Sequence, residues 1–208
     1  MLVIFDLDGT LFETGSSVIP AVRHSLRDIG MEEVDDDTIL SLIGERTPVF
    51  CEKIVGGRGD KFEEFRGKLW YYEHKYIGEM GKLFPGIKKM LKVLKERGFI
   101  LAVCSNGSQD YVDYVLEVTD IAGYFDERVS SSQMKSKKVA IEGLMGSYGK
   151  EKAVMVGDKR HDFSSAKKAG IPSIGVSYGY GSSDETAEAD FVVDEPSEIV
   201  GSVLNIFE

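Results

Sequence analysis

Short apolar runs alternate along the chain with segments whose apolar residues recur every three or four positions. The runs are LVIFD (2–6), FILAVCS (99–105), AVMVGD (153–158), PSIGV (172–176) and FVVD (191–194), with a shorter candidate at 128–131. Such runs suit strands that a parallel sheet buries on both faces. Between them, residues 85–97 place apolar side chains at 87, 90, 91 and 94 and stop at Gly98. Residues 162–169 end at Gly170, with Pro172 just beyond. These are helices with their usual terminators. Strand and helix in alternation predict an α/β fold built on a doubly wound parallel sheet.

Residues 15–81 break that rhythm. The pattern predicts a helix over 17–29 closed by Gly30, a second capped by Asp37 and ending near Gly44, and a third over 47–55 stopped by GGRG. A fourth starts at Asp60 and sets Phe62, Phe65, Leu69, Tyr72 and Tyr76 on one stripe. An all-helical block thus interrupts the sheet after its first strand. The domain expectation is a core of 1–14 and 82–208, with 15–81 as an inserted cap. The aromatic run Trp70, Tyr71, Tyr72 and Tyr76 is expected to form the core of that cap. GGRGD at 56–60 follows no strand and reads as a helix–helix turn.

Composition narrows the class. The 208 residues are 42% hydrophobic, and nothing approaches the roughly 18 consecutive apolar residues of a membrane span. The N-terminus lacks the layout of a secretory signal, so the cytoplasm is the expected location and no membrane partner is expected. A net charge of −10 argues against a nucleic-acid partner. Cys51 and Cys104 have no metal-ligand spacing, and Cys104 sits in an apolar run as a small buried thiol. Two asparagines and two glutamines against 29% charged residues lean towards a thermophilic source, which a melting temperature tests.

The chemistry-bearing residues collect at the carboxyl ends of strands, where open α/β sheets bind ligands. The first strand ends in Asp6-Leu-Asp8-Gly-Thr10, the second in Ser105-Asn106-Gly107, and the one at 153–158 in GDKRHD, with Asp158 and Asp162. Lys135, Lys137 and Lys138 follow the short candidate strand. Each piece alone is a common turn or cap, but four pieces converging on one pocket are not. A carboxylate can attack phosphorus to give an aspartyl phosphate, and a second acid can protonate the leaving alkoxide. In an extended segment, residues two apart share a face at about 6.5–7 Å, so one can reach phosphorus and the other the leaving group. Paired carboxylates repel, which a hard cation such as Mg²⁺ relieves, with Asp158 and Asp162 completing its ligands. A lysine, hydroxyls and backbone donors can then hold the phosphoryl oxygens.

With FDLDGT (5–10), Ser105-Asn106, a lysine among 135–138 and GDKRHD (157–162) in this order, the sequence resembles the haloacid dehalogenase superfamily of phosphatases, with a small α-helical cap. The resemblance spans the whole core and extends to PGIKKML (85–91), like the family's re-entry into it. It implies that Asp6 is the nucleophile and Asp8 the general acid and base, whose backbone carbonyl also binds Mg²⁺. It further implies that Thr10 orients Asp8, that Ser105, with Asn106 and Gly107, binds phosphate, and that Asp6, Asp158 and Asp162 bind the metal. The third motif departs from the family's Lys-Pro-x-Pro, reading Lys135-Ser-Lys137-Lys138. Spacing to Asp158 admits both Lys135 and Lys137, and Ser136 as a helix cap leans to Lys135.

Asp8 argues for an oxygen leaving group, since a halide leaves unprotonated. No cap lysine lies in a motif suited to phosphonate cleavage. The expected partner is a small phosphorylated metabolite, phosphoglycolate-like or a sugar phosphate. GVSYGYGSSDE (175–185) is similar to phosphoglycolate phosphatases and 5′-nucleotidase-like relatives. A nucleoside 5′-monophosphate phosphatase, a phosphomutase and a binding module without turnover are the alternatives. His161 is expected beside the site, and Arg46 is the cap cation best suited to a substrate anion. Oligomeric state is not written in these patterns.

Overall fold

A computed structural model describes residues 1–132, 134–148 and 153–207. Six strands form one sheet: β1 (Leu2–Phe5), β2 (Ile100–Ser105), β3 (Glu127–Ser130), β4 (Ala153–Gly157), β5 (Ser173–Val176) and β6 (Phe191–Val193). Their order is β3-β2-β1-β4-β5-β6, and every pairing is parallel. Leu2 is in register with Ile100 on one side and Ala153 on the other, so β1 is central and all four of its residues are buried.

The strand period of two divides the core into two layers. Val3, Phe5, Leu101, Val103, Val154 and Val156 face α5 (Ile87–Glu96), α6 (Gln109–Val118) and α10 (Pro196–Phe207). Leu2, Ile4, Ala102, Cys104 and Met155 face α7 (Lys137–Tyr148) and α8 (Arg160–Ala169) on the other side. Helices on both faces of a parallel sheet make this a doubly wound α/β fold. Strand order reverses at β1, and the chain's acidic strand ends all emerge at that edge. A short helix, α9 (Ser183–Thr186), follows β5. Cys51 and Cys104 are buried free thiols. No helix among the described residues is long and apolar enough to cross a membrane.

Four helices lie between β1 and α5: α1 (Gly15–Asp28), α2 (Asp36–Ser41), α3 (Thr47–Ile54) and α4 (Gly59–Met80). They enclose an apolar cluster of their own, including Val18, Val22, Leu26, Ile39, Phe50, Phe65 and Leu69. Two expectations need correction. The cap of α2 is Asp35, whose carboxylate accepts the Thr38 N–H at 2.8 Å, not Asp37. Among three successive aspartates, the one with extended backbone takes the cap. The stripe Phe65, Leu69 and Tyr76 is buried, but Trp70 and Tyr71 lie off it and are 59% and 58% exposed. They are not part of the helical core.

Candidate active site

The Asp6 N–H donates to the Val156 carbonyl at 2.8 Å, carrying the β1–β4 ladder one residue past the strand and fixing where its carboxylate emerges. The chain then turns sharply, with the Leu7 carbonyl accepting from both Leu11 and Phe12 at 2.9 Å. Gly9 sits in this turn at a φ of +78°, and a Cβ there would lie 2.3 Å from Oδ2 of Asp158. Glycine is required on both counts.

Asp6 and Asp162 are bridged by Lys137. Its Nζ lies 2.9 Å from Oδ1 of Asp6 and 2.5 Å from Oδ1 of Asp162, and all three side chains are essentially inaccessible. Asp162 also accepts from the Lys159 N–H at 3.2 Å, so the helix N-terminus helps hold it. Asp158 follows β4 and accepts the Tyr180 N–H at 2.8 Å.

This electrostatic balance is incomplete. Burial, then the Asp162 charge, pushes the Asp6 carboxyl up to about 6, against the pull of Lys137. Burial and the charges of Asp162 and Asp6 push Asp158 up to about 7. For Asp162, burial is outweighed by Lys137 and His161, which hold it well below the usual carboxylate range. Burial disfavours the Lys137 charge, yet Asp162 and Asp6 hold its pKa above the ordinary lysine value. Three buried carboxylates thus share one buried ammonium, a costly state that a further cation relieves. Carboxylate oxygens are the ligands a hard divalent ion takes, and Asp6 and Asp162 supply them with His161 alongside. Asp6, His161 and Asp162 each offer a ligand atom within 4.8 Å of the others.

Asp8 has different surroundings. Its Oδ1 accepts from the hydroxyls of Thr14 at 2.8 Å and Tyr111 at 2.5 Å. Burial raises its pKa, and these two hydrogen bonds resist the rise. The orienting hydroxyl expected of Thr10 therefore comes from Thr14 and Tyr111. Thr10 points instead to Asp158, at 3.5 Å.

The other expected residues separate clearly. Ser105 ends β2, is buried, and accepts from the Gly107 N–H at 3.1 Å. Asn106 turns its amide to the helical block and donates to the Gly44 carbonyl at 2.8 Å. The lean to Lys135 is corrected: Lys135 is exposed, and Lys137 is the buried lysine at Asp6. Ser136 does accept from the Val139 N–H, at 3.4 Å, but the first turn of α7 carries its next residue inward. Arg46 donates to the carbonyls of Ser131 and Met134. Thr14, Tyr111 and Lys159 were not singled out from the sequence, where nothing but tertiary proximity distinguishes them.

The sequence profile of the family described as haloacid dehalogenase-like hydrolase matches residues 3–176. The chain belongs to this family. It is 30% identical over 207 residues to a phosphoglycolate phosphatase of Aquifex aeolicus, covering 96% of this chain and 94% of that one. A phosphoglycolate phosphatase of Vibrio cholerae is 29% identical over 220 residues, covering 99% and 96%. Among solved structures, a predicted phosphatase from Clostridium acetobutylicum matches with a TM-score of 0.82 at 27% identity, covering 98% of both chains. A predicted phosphoglycolate phosphatase from Haemophilus somnus matches with a TM-score of 0.91, covering 97% and 96%; at 24% identity it speaks for the fold alone.

In this haloacid dehalogenase-like hydrolase a cavity of about 570 Å³ opens from Asp8 between the sheet edge and the four helices. Its wall includes Tyr111, Phe50, Trp70, Glu73, Arg46 and Arg66. Burial and the Asp8 charge push the Glu73 carboxyl up to about 8, and no cation among the described residues pulls it back. Glu73 is a further residue that sequence reading missed, hidden in an aromatic stretch.

Proposed function

We propose that the chain is a Mg²⁺-dependent phosphomonoesterase working through an aspartyl phosphate. The observation that carries this reading is the division of labour between two carboxylates two residues apart. Asp6 is held against Lys137 beside Asp162, while Asp8 is fixed by Thr14 and Tyr111 at the inner end of the cavity.

In this reading Asp6 attacks phosphorus and the bond from phosphorus to the leaving oxygen breaks. Asp8, whose burial favours the protonated form, gives its proton to that oxygen. Asp8 then takes a proton from the water that attacks the aspartyl phosphate, releasing phosphate and freeing Asp6. Lys137 and Ser105 bind the phosphoryl oxygens, and the Lys137 charge favours the developing negative charge. Asp6, Asp158, Asp162 and the Asp8 carbonyl would hold Mg²⁺, which supplies charge neutralisation at the phosphoryl group when bound. The helical block 15–81 serves as a cap that closes the reaction off from water.

The names of the relatives put phosphoglycolate among the first small esters to test. Phosphate release from p-nitrophenyl phosphate is expected with Mg²⁺, lost on chelation and abolished in Asp6→Asn. Turnover surviving in Asp6→Asn would end this assignment.

A further inference from the structure

Resting on the phosphatase reading above, the leaving group must occupy the cavity into which Asp8 faces. Helix α4 gives that cavity a polarity. Arg66, Trp70 and Glu73 are four and three residues apart and share one face of the helix. At 1.5 Å per residue, Arg66 lies about 10 Å along the axis from Glu73. Glu73 is the end whose charge interacts with Asp8.

Glu73 is half-buried and has no hydrogen-bond or ion-pair partner among the described residues. The two arginines of the wall have partners elsewhere, and Nδ1 of His74 lies 2.8 Å from the Trp70 carbonyl. Arg46 donates to the Ser131 and Met134 carbonyls, and Arg66 pairs with Glu63 at 2.7 Å. At Asp8 itself the wall is hydroxylic, with Thr14 and Tyr111, and Val18 and Leu69 add apolar surface to the cavity.

We propose that this cavity takes the hydroxyl-bearing leaving group of a sugar or nucleoside phosphate, and that Glu73 sets the preference by accepting hydrogen bonds from its hydroxyls. In a glycolate ester the carboxylate sits on the carbon next to the leaving oxygen. It would therefore enter the Asp8–Glu73 end of the cavity, among acidic groups and without a counter-cation. There the anion sheds its hydration without a counter-charge, facing acids that repel it when ionised and offer at most one proton each when protonated. A hydroxyl has no such conflict, because the Glu73 carboxyl accepts from it whether ionised or protonated. It also gives Glu73 the partner it lacks, and a site built around such a bond rejects ligands that cannot make it. One turn further out, the exposed Trp70 ring offers a flat apolar surface for a sugar or base. The 570 Å³ volume lies within the range of cavities that enclose whole small molecules and exceeds the needs of a two-carbon acid.

The test compares kcat/KM for ribose 5-phosphate, adenosine 5′-monophosphate and phosphoglycolate on the full chain with Mg²⁺. At least one hydroxyl-bearing ester is expected to exceed phosphoglycolate by about tenfold or more. Glu73→Lys, which places a cation there, is expected to lower that ratio by about tenfold or more. Glu73→Gln keeps the shape, guards against a misfolded lysine variant, and is expected to raise turnover of phosphoglycolate. Preference of the wild type for phosphoglycolate, or a ratio unmoved in both variants, would overturn the role given to Glu73. That result, with p-nitrophenyl phosphate still cleaved, leaves the phosphatase reading intact. No release from any ester, p-nitrophenyl phosphate included, would overturn both.

Discussion

Lys137 is the only cation bridging Asp6 and Asp162 among the described residues, so its loss should affect both turnover and folding. Lys137→Ala is expected to lower kcat/KM by about 10²–10³, as when one preorganised donor to a transition-state oxyanion is removed. It should also destabilise the metal-free chain by about 3–5 kcal/mol in a denaturant titration, because two buried carboxylates lose their ammonium. Lys135→Ala, at an exposed position, should remain near wild type in both; the reverse pattern would refute the assignment. Tyr111→Phe removes the 2.5 Å bond to Asp8, a bond that favours ionised Asp8. The basic limb of kcat/KM should therefore move to higher pH and kcat should fall by about ten- to hundredfold. A limb that stays in place would mean that Tyr111 only packs there. Asp6, Asp8, Ser105 and Asp158 could be singled out in the sequence because each adjoins a strand end, and parallel strands bring those ends together. Tyr111 lies 103 residues from Asp8, and Glu73 reaches the cavity only through the packing of α4. The choice between Lys135 and Lys137 depended on the rotation of the first turn of α7, which a capping serine does not set.

At the scale of elements, the polar contacts between the helical block and the sheet edge run largely through main-chain carbonyls, beside the packing of Ile77 into the core and of His74 on Tyr114. The Gly44 carbonyl accepts from Asn106 Nδ2 at 2.8 Å and lies 3.1 Å from His161 Nε2, while Lys159 Nζ donates to the Ser41 carbonyl at 3.2 Å. Arg46 reciprocates by donating to the carbonyls of Ser131 and Met134. Carbonyls carry no residue identity, so this seam left no trace in the sequence, where Asn106 reads only as a substrate-binding candidate. The strands, by contrast, were legible to within about one residue: β1, β2, β4 and β5 are buried apolar runs, while the edge strands β3 and β6 are short and partly exposed. Gly44 has a φ of +90°, and a Cβ there would stand 3.1 Å from His161 Nε2. Gly44→Ala is expected to cost about 1–3 kcal/mol through backbone strain. It should also raise KM more than it lowers kcat, because the seam orders the cavity wall rather than the reacting carboxylates. A melting temperature and KM both equal to wild type would mean that the seam is not closed in solution.

For the molecule as a whole, the acidic edge should couple stability to pH and to divalent cations. Asp6 and Asp158 titrate at about 6 and about 7 in the fold, against an ordinary value of 3.8. The folded chain therefore holds protons between pH 4 and 7 that the unfolded chain has lost, and these two groups make stability fall as pH rises through that window. Asp162 acts in the opposite sense: its depressed pKa adds stability above pH 4 that is lost on further acidification. The metal-free contribution of the cluster should thus peak near the lower end of the window and decline towards neutrality. A cation that binds the ionised carboxylates reverses the decline, and its stabilisation grows as the competing protons leave, reaching about 2.7 kcal/mol at a hundredfold excess over Kd. Melting of the full chain at pH 5 and pH 7.5, with EDTA and with Mg²⁺, should show a larger Mg²⁺ increment at pH 7.5. Asp158→Asn provides the internal reference, since comparison with it cancels the titration of groups remote from the cluster and leaves that of Asp158 and the acids coupled to it. That variant should lose most of the increment at pH 7.5 and show a shallower decline without metal. Equal increments at the two pH values, or an undiminished one in Asp158→Asn, would place the cation-binding charge elsewhere on this −10 surface.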